Sequence, residues 1–168
     1  MSSRPLTITP AVAAAIRQHG EQTYPHECCG ALVGGDGGVT AIVALPNTTD
    51  EGPRRRFLVR PSDYQLSERR AAELGGALLG FYHSHPDHPA RPSQYDLDHA
   101  WPTFASIIVA VEGLARHAAD GAAAEGASAA TATDMTVWYL QEDRSRFEEG
   151  SLNHGENSHS DPAPAVHG

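Results

Sequence analysis

The chain of 168 residues contains no lysine; its 12 basic residues are all arginine, and with 21 aspartates and glutamates the formal charge is −9. A nucleic-acid partner needs a clustered basic face, and the one basic run, Arg54-Arg55-Arg56, is too short to form one. No apolar stretch approaches the roughly 20 residues of a membrane span. Met1-Ser2-Ser3-Arg4-Pro5 lacks the apolar segment of a secretory signal. Disulfide staples are also missing, because the only two cysteines, Cys28 and Cys29, are adjacent and cannot join distant segments. Neither nucleic acid nor a membrane is expected as a partner, and a reducing cytoplasm is the expected compartment.

What is present suits one soluble domain with a full core, at 40% hydrophobic and 20% charged residues. Thr9 and Pro10 predict a helix start, with Val12 and Ile16 at helical spacing and Gly20 as its stop. Strands are expected at 31–33 and 39–45 around a glycine-rich turn, and at 57–59. A helix from Pro61 to Leu74 should close at Gly75-Gly76, followed by a buried strand over 77–83. Ser93 reads as the cap of a short helix to His99, and 106–111 as a strand covered on both faces. Residues 113–133 are Ala/Gly-rich and are expected to form a mobile insertion, with a strand returning over 135–140. After Leu152 the composition turns to Asn, His, Ser, Pro and Gly, so 153–168 is expected to be a disordered tail on a domain spanning 1–152. Helices interleaved with about six strands indicate an α/β or α+β class.

Chemistry concentrates in Gly80-Phe81-Tyr82-His83-Ser84-His85-Pro86, followed after seven residues by Ser93 and then Asp96. Side chains two apart on a strand project the same way, so His83 and His85 can share one metal ion. Asp96 falls in the first turn of the helix that Ser93 caps, where the helix dipole favours a carboxylate. Two imidazoles and one carboxylate leave a fourth tetrahedral position open, as in a catalytic zinc site. Each piece alone has a plainer explanation: a hydrogen-bonded strand-end histidine, or a Ser-x-x-Asp helix cap. Their joint occurrence at fixed spacing is what points to a metal. Glu27, on a loop, is not distinguished from a solvated surface glutamate by composition or spacing.

Glu27 together with His83-Ser84-His85-Pro86, Ser93 and Asp96 resembles the JAMM (MPN-plus) zinc metallopeptidase family, in its compact prokaryotic form. Pro25-His26-Glu27-Cys28-Cys29-Gly30 and Val137-Trp138-Tyr139-Leu140 extend the resemblance over roughly residues 5 to 150. It implies an α/β fold, a mixed β-sheet flanked by helices, similar to that of cytidine deaminase. His83, His85 and Asp96 would bind one catalytic Zn2+, Glu27 would act as general base and then general acid, and Ser93 would donate to the developing oxyanion. The implied activity is an isopeptidase or peptidase, deubiquitinase-like, acting after the C-terminal Gly-Gly of a ubiquitin-like protein. The alternative is a processing enzyme for a ubiquitin-like sulfur carrier with a C-terminal Gly-Gly, releasing an amino acid or exposing that end; a non-catalytic zinc-stabilised binding module is a third. The resemblance leaves a homodimer open. The substrate groove would be walled by residues 57–61, the helix after them and the loop 86–92.

Two rivals fit less well. A zinc deaminase needs a Pro-Cys-x-x-Cys pair, which the chain lacks. An iron site with two histidines and a carboxylate accounts for three ligands but gives Glu27 and Ser93 no task. The missing lysines reflect either a GC-rich genome or protection of a deconjugating enzyme from modification on its own side chains.

Overall fold

The computed structural model describes residues 4–47, 59–113 and 130–155. In chain order the elements are β1 (Pro5–Ile8), α1 (Pro10–Thr23), β2 (Cys29–Gly35), β3 (Gly38–Leu45), α2 (Pro61–Glu73), β4 (Ala77–Pro86), α3 (Gln94–His99), β5 (Ala105–Gly113), β6 (Ala130–Leu140), β7 (Phe147–Glu149) and β8 (Ser151–His154). These strands form one mixed sheet in the order β7-β6-β5-β4-β2-β3-β1-β8. β4 runs parallel to β5 and antiparallel to β2. The expected class, a mixed sheet flanked by helices, is the observed one.

The helix boundaries follow local chemistry, with one exception. The Thr9 hydroxyl accepts the Val12 N–H at 3.1 Å, capping α1 ahead of Pro10. The Asp63 carboxylate accepts the Arg60 N–H at 3.0 Å at the start of α2, and Gly75, at φ 75°, takes the left-handed conformation that closes it. Gly20, however, does not stop α1, which continues to Thr23. Its role is close packing: a Cβ there would lie 2.9 Å from Val111 Cγ2 on the sheet beneath.

Side-chain alternation divides the core between the two faces of the sheet. On the α1 side, Ile8, Val12, Ile16, Leu32, Tyr82, Ile107, Val109 and Val111 pack together. On the α2 side, Ala31, Val33, Val43, Phe81 and Ala71 form a second cluster, with Tyr64, Trp101 and Phe104 against it. β5 is buried on both faces, as its unbroken apolar run implied.

Other departures lie at the edges. β1 was not apparent in the sequence; four residues are too few to show a period, and its pairing with β3 and β8 defines it. Of the strand expected at 57–59, residues 57 and 58 lie outside the described residues, and Val59 is a buried loop residue. The expected insertion is narrower: Gly113 ends β5 and residues 130–133 open β6, because β5 and β6 pair from Gly113 opposite Ala130. Residues 114–129 lie outside the described residues. At the C-terminal end, β8 carries the fold two residues past the expected boundary, to His154; residues 156–168 are outside the description. No helix among the described residues is long and apolar enough to cross a membrane.

Candidate metal centre

The end of β4 brings the sequence motif together. His83 and His85 alternate with Tyr82 and Ser84, so both project to the face that Phe81 shares with α2. Glu27 arrives by strand register. Cys29 is paired with His83 in the antiparallel β2–β4 ladder, so Glu27, two residues earlier, falls opposite His85 and on the same face. The ladder is extended here by Ser84 N–H donating to the Cys28 carbonyl at 3.1 Å, and by Cys28 N–H donating to the Ser84 hydroxyl at 2.8 Å. The Asn47 side-chain amide donates to the Glu27 carbonyl at 3.0 Å. Asp96 is supplied by α3 through a reciprocal cap: its N–H donates to Ser93 Oγ at 3.1 Å, and its Oδ2 accepts the Ser93 N–H at 2.8 Å.

The resulting distances are short. His83 Nε2 lies 3.0 Å from His85 Nε2 and 3.3 Å from Asp96 Oδ1, while His85 Nε2 lies 3.2 Å from Asp96 Oδ2. A tetrahedral ion with bonds of about 2.0–2.1 Å holds its ligand atoms about 3.4 Å apart, so this donor set fits one. Ligand atoms of Glu27, His83 and His85 also lie within 4.8 Å of one another, all three residues buried. These side chains could hold a metal ion. Asp96 oxygens stand 3.2–3.3 Å from the two ring nitrogens, so four buried side chains, Glu27, His83, His85 and Asp96, converge here.

Hydrogen bonding sets the ring states. His85 Nδ1 is 2.8 Å from the Pro89 carbonyl, which can only accept, so Nδ1 carries the hydrogen and Nε2 of the neutral ring presents a lone pair. Burial pulls His83 below its ordinary pKa. Burial acts the same way on His85, but the bonds to Asp96 and the Pro89 carbonyl outweigh it and raise its pKa. For Asp96 burial favours the neutral form, yet His83, His85 and the Ser93 N–H hold the carboxyl well below the usual carboxylate range. The cluster is therefore an ionised carboxylate facing two imidazoles.

An open cleft of about 800 Å3 adjoins this cluster, lined by Glu27, His85, Pro89, Arg91, Ser93 and Tyr95 among others. The loop expected to wall the groove does so, but α2 takes no part; α3 forms the opposite side. Of the wall expected at 57–61, residues 57 and 58 lie outside the described residues, and Val59, Arg60 and Pro61 do not line the cleft. A pocket of about 30 Å3 bounded by Val59, Phe81, Tyr95 and Trp101 lies behind His83 and Asp96. Cys28 and Cys29 are buried free thiols, and burial pushes the Cys28 thiol up to about 12, so neither offers a thiolate. Gln94, Tyr95 and Asp98 of α3 are the cleft residues that sequence reasoning missed; their place directly after Ser93 was the available signal.

A family model described as prokaryotic homologs of the JAB domain matches residues 9–141. The chain belongs to this family. The prokaryotic JAB, or compact JAMM/MPN, assignment agrees with the motif that suggested it. Among curated proteins, the chain is 29% identical over 120 residues to a desampylase of Haloferax volcanii, covering 67% of this chain and 86% of that protein. It is 37% identical over 82 residues to tail tip assembly protein K of Escherichia phage N15, covering 49% of this chain but 31% of the phage protein. Among solved structures, a Salinibacter ruber protein is similar at 33% identity and a TM-score of 0.62, with 96% of each chain covered. A Desulfitobacterium hafniense protein shares the fold at 24% identity and a TM-score of 0.65, covering 92% of this chain and 97% of that one.

Proposed function

We propose that the protein is a zinc-dependent isopeptidase or peptidase that hydrolyses the bond after the C-terminal Gly-Gly of a ubiquitin-like protein. The observation that carries this reading is the meeting of His83, His85 and Asp96 within 3.3 Å, with buried Glu27 beside them at the wall of an open cleft. Similarity to a desampylase supports the substrate class. A Gly-Gly end suits a site set into a cleft wall, because only glycine lets a substrate backbone approach so closely.

His83, His85 and Asp96 would hold the zinc ion. When bound, that ion supplies Lewis acidity, lowering the pKa of water toward about 7 and polarising the scissile carbonyl. Glu27 takes the proton released by the attacking water and returns it to the departing amine. Ser93 has its oxygen lone pair engaged by the Asp96 N–H, which leaves the hydroxyl hydrogen to donate to the carbonyl oxygen as charge grows there. The Pro89 carbonyl fixes the His85 tautomer throughout.

Glu27→Ala tests the assignment. Zinc content by elemental analysis should match the parent, while hydrolysis of a fluorogenic amide on a Gly-Gly-ended ubiquitin-like protein should fall about 10²–10⁴-fold. Unchanged turnover would refute the mechanism.

A further inference from the structure

Tyr24, Asp87 and Gly113 are distant in sequence and meet in space. The Tyr24 hydroxyl donates to Asp87 Oδ2 at 2.7 Å, and the Gly113 N–H donates to Asp87 Oδ1 at 2.9 Å. The Asp87 N–H in turn donates to the Val111 carbonyl at 2.7 Å. Both carboxylate oxygens and the backbone of one residue are therefore fastened, one oxygen to the segment after α1, the rest to the end of β5. Asp87 sits at φ 59°, a left-handed conformation that aspartate tolerates better than most residues but that needs support from its surroundings. Gly113 is part of the seat, since a Cβ there would collide with the Tyr24 hydroxyl.

The position of this clamp gives it a consequence for chemistry. Tyr24 is three residues before Glu27, and Asp87 is two residues after His85. Glu27 lies beyond the regular part of β2, in a stretch with no assigned helix or strand. The next residue, Cys28, is held to Ser84 by ladder bonds on one side, and the Asn47 amide donates to the Glu27 carbonyl. The Tyr24–Asp87 bond holds the other end of the same short segment to the chain that leaves His85.

We propose that Asp87 is a positioning residue that, through Tyr24 and Gly113, sets the placement of Glu27 against the ends of His83 and His85. Its catalytic consequence rests on the hydrolase reading; its structural one does not. Proton transfer by a carboxylate needs heavy atoms about 2.6–3.2 Å apart, and a displacement of about 1 Å can cost about 10²-fold in rate. A clamp acting only on placement should therefore change kcat and leave KM and zinc content near the parent values.

The test uses Tyr24→Phe, Asp87→Asn and Gly113→Ala in the zinc-loaded protein. Tyr24→Phe removes one hydroxyl, and Gly113→Ala displaces that hydroxyl without altering either bonded side chain. Both should lower kcat on the Gly-Gly amide by about 10–100-fold with KM within about twofold. Asp87→Asn keeps an acceptor for only one of the two donors and should show a comparable loss. The readout independent of activity is backbone hydrogen exchange at Glu27 and Cys28, which should quicken several-fold in the Phe and Ala variants while β3 and the rest of β5 stay unchanged. The proposal is overturned if Tyr24→Phe leaves that exchange at the parent rate. It is overturned equally if KM rises and zinc content falls together with the loss of kcat, which is the signature of a merely structural contact. Should the parent hydrolyse no Gly-Gly amide, the functional reading fails, and exchange at Glu27 and Cys28 still decides the clamp.

Discussion

The two faces of β4 treat buried polarity in opposite ways. Toward α1, Tyr82 and Ser84 are fully buried, and their polar atoms are engaged locally. The Tyr82 hydroxyl lies 2.7 Å from His19 Nδ1, and the Ser84 hydroxyl accepts the Cys28 N–H at 2.8 Å. α1 presses on this face closely enough that Gly20 has no room for a Cβ. Toward α2, Phe81 enters the apolar cluster, but His83 and His85 run on to the strand end, where the Pro89 carbonyl and Asp96 of the six-residue α3 lie against them. There the polar groups converge: two rings and a carboxylate crowd within 3.3 Å, beside a cleft. Burial of polar groups is thus no mark of function by itself. Convergence on one point, with access from solvent, is.

Substitutions on the two faces should fail in different ways, and the largest contrast is on the open side. Ser93→Ala removes the proposed oxyanion donor, so kcat should fall by about 10²–10³. The same change removes the cap that holds Asp96 in place, at a cost of about 1 kcal/mol in urea unfolding. Ser93→Gly separates the two effects, because glycine at a helix cap costs only about a few tenths of a kcal/mol and brings no side-chain donor. Low kcat with restored stability in that variant supports the donor role; recovered kcat reduces Ser93 to a cap.

On the closed side the expectation reverses. Gly20→Ala pushes a methyl group against Val111 Cγ2 on a strand paired on both sides, which should destabilise the fold by about 1–3 kcal/mol. Turnover per folded molecule should stay at the parent value. A kcat loss matching that of Ser93→Ala would mean that strain passes through the sheet and that the two faces are not independent.

The same contrast explains what could be read from the sequence. Alternation along β4 was legible because His83 and His85 are two apart, and the Ser93 cap was legible because Asp96 is three residues on. Each lies within one element, where spacing alone fixes direction. Glu27 belongs to the centre through the register between β2 and β4, a non-local fact that spacing cannot carry; only the family motif pointed to it. The opening strand β1 and the start of β6 were missed for the same reason, since their partners define them. Gly20 was misread because a glycine that ends a helix and a glycine that lets a helix touch a strand look alike in one dimension. Asp87 gave no signal in the sequence, because its partners Tyr24 and Gly113 lie 63 and 26 residues away.

The smallest expected effect is a pH dependence on the closed face. His19 is partly buried against Tyr82, and burial lowers its pKa below the ordinary 6.5. Its neutral ring accepts the Tyr82 hydroxyl; a protonated ring would lose that acceptor and carry a charge into the core. The unfolded chain has no such penalty and takes up its proton near 6.5. The contribution of His19 to stability is therefore complete above about 6.5 and is lost as pH falls toward and through the lowered folded value. In zinc-loaded protein, the urea midpoint should decline less steeply on acidification for His19→Gln than for the parent. Because glutamine can still accept the Tyr82 hydroxyl, the two should be nearly equal in stability above pH 6.5. Identical slopes below it would show that His19 is protonated as readily in the fold as out of it, and that the closed face is wetter than its packing implies.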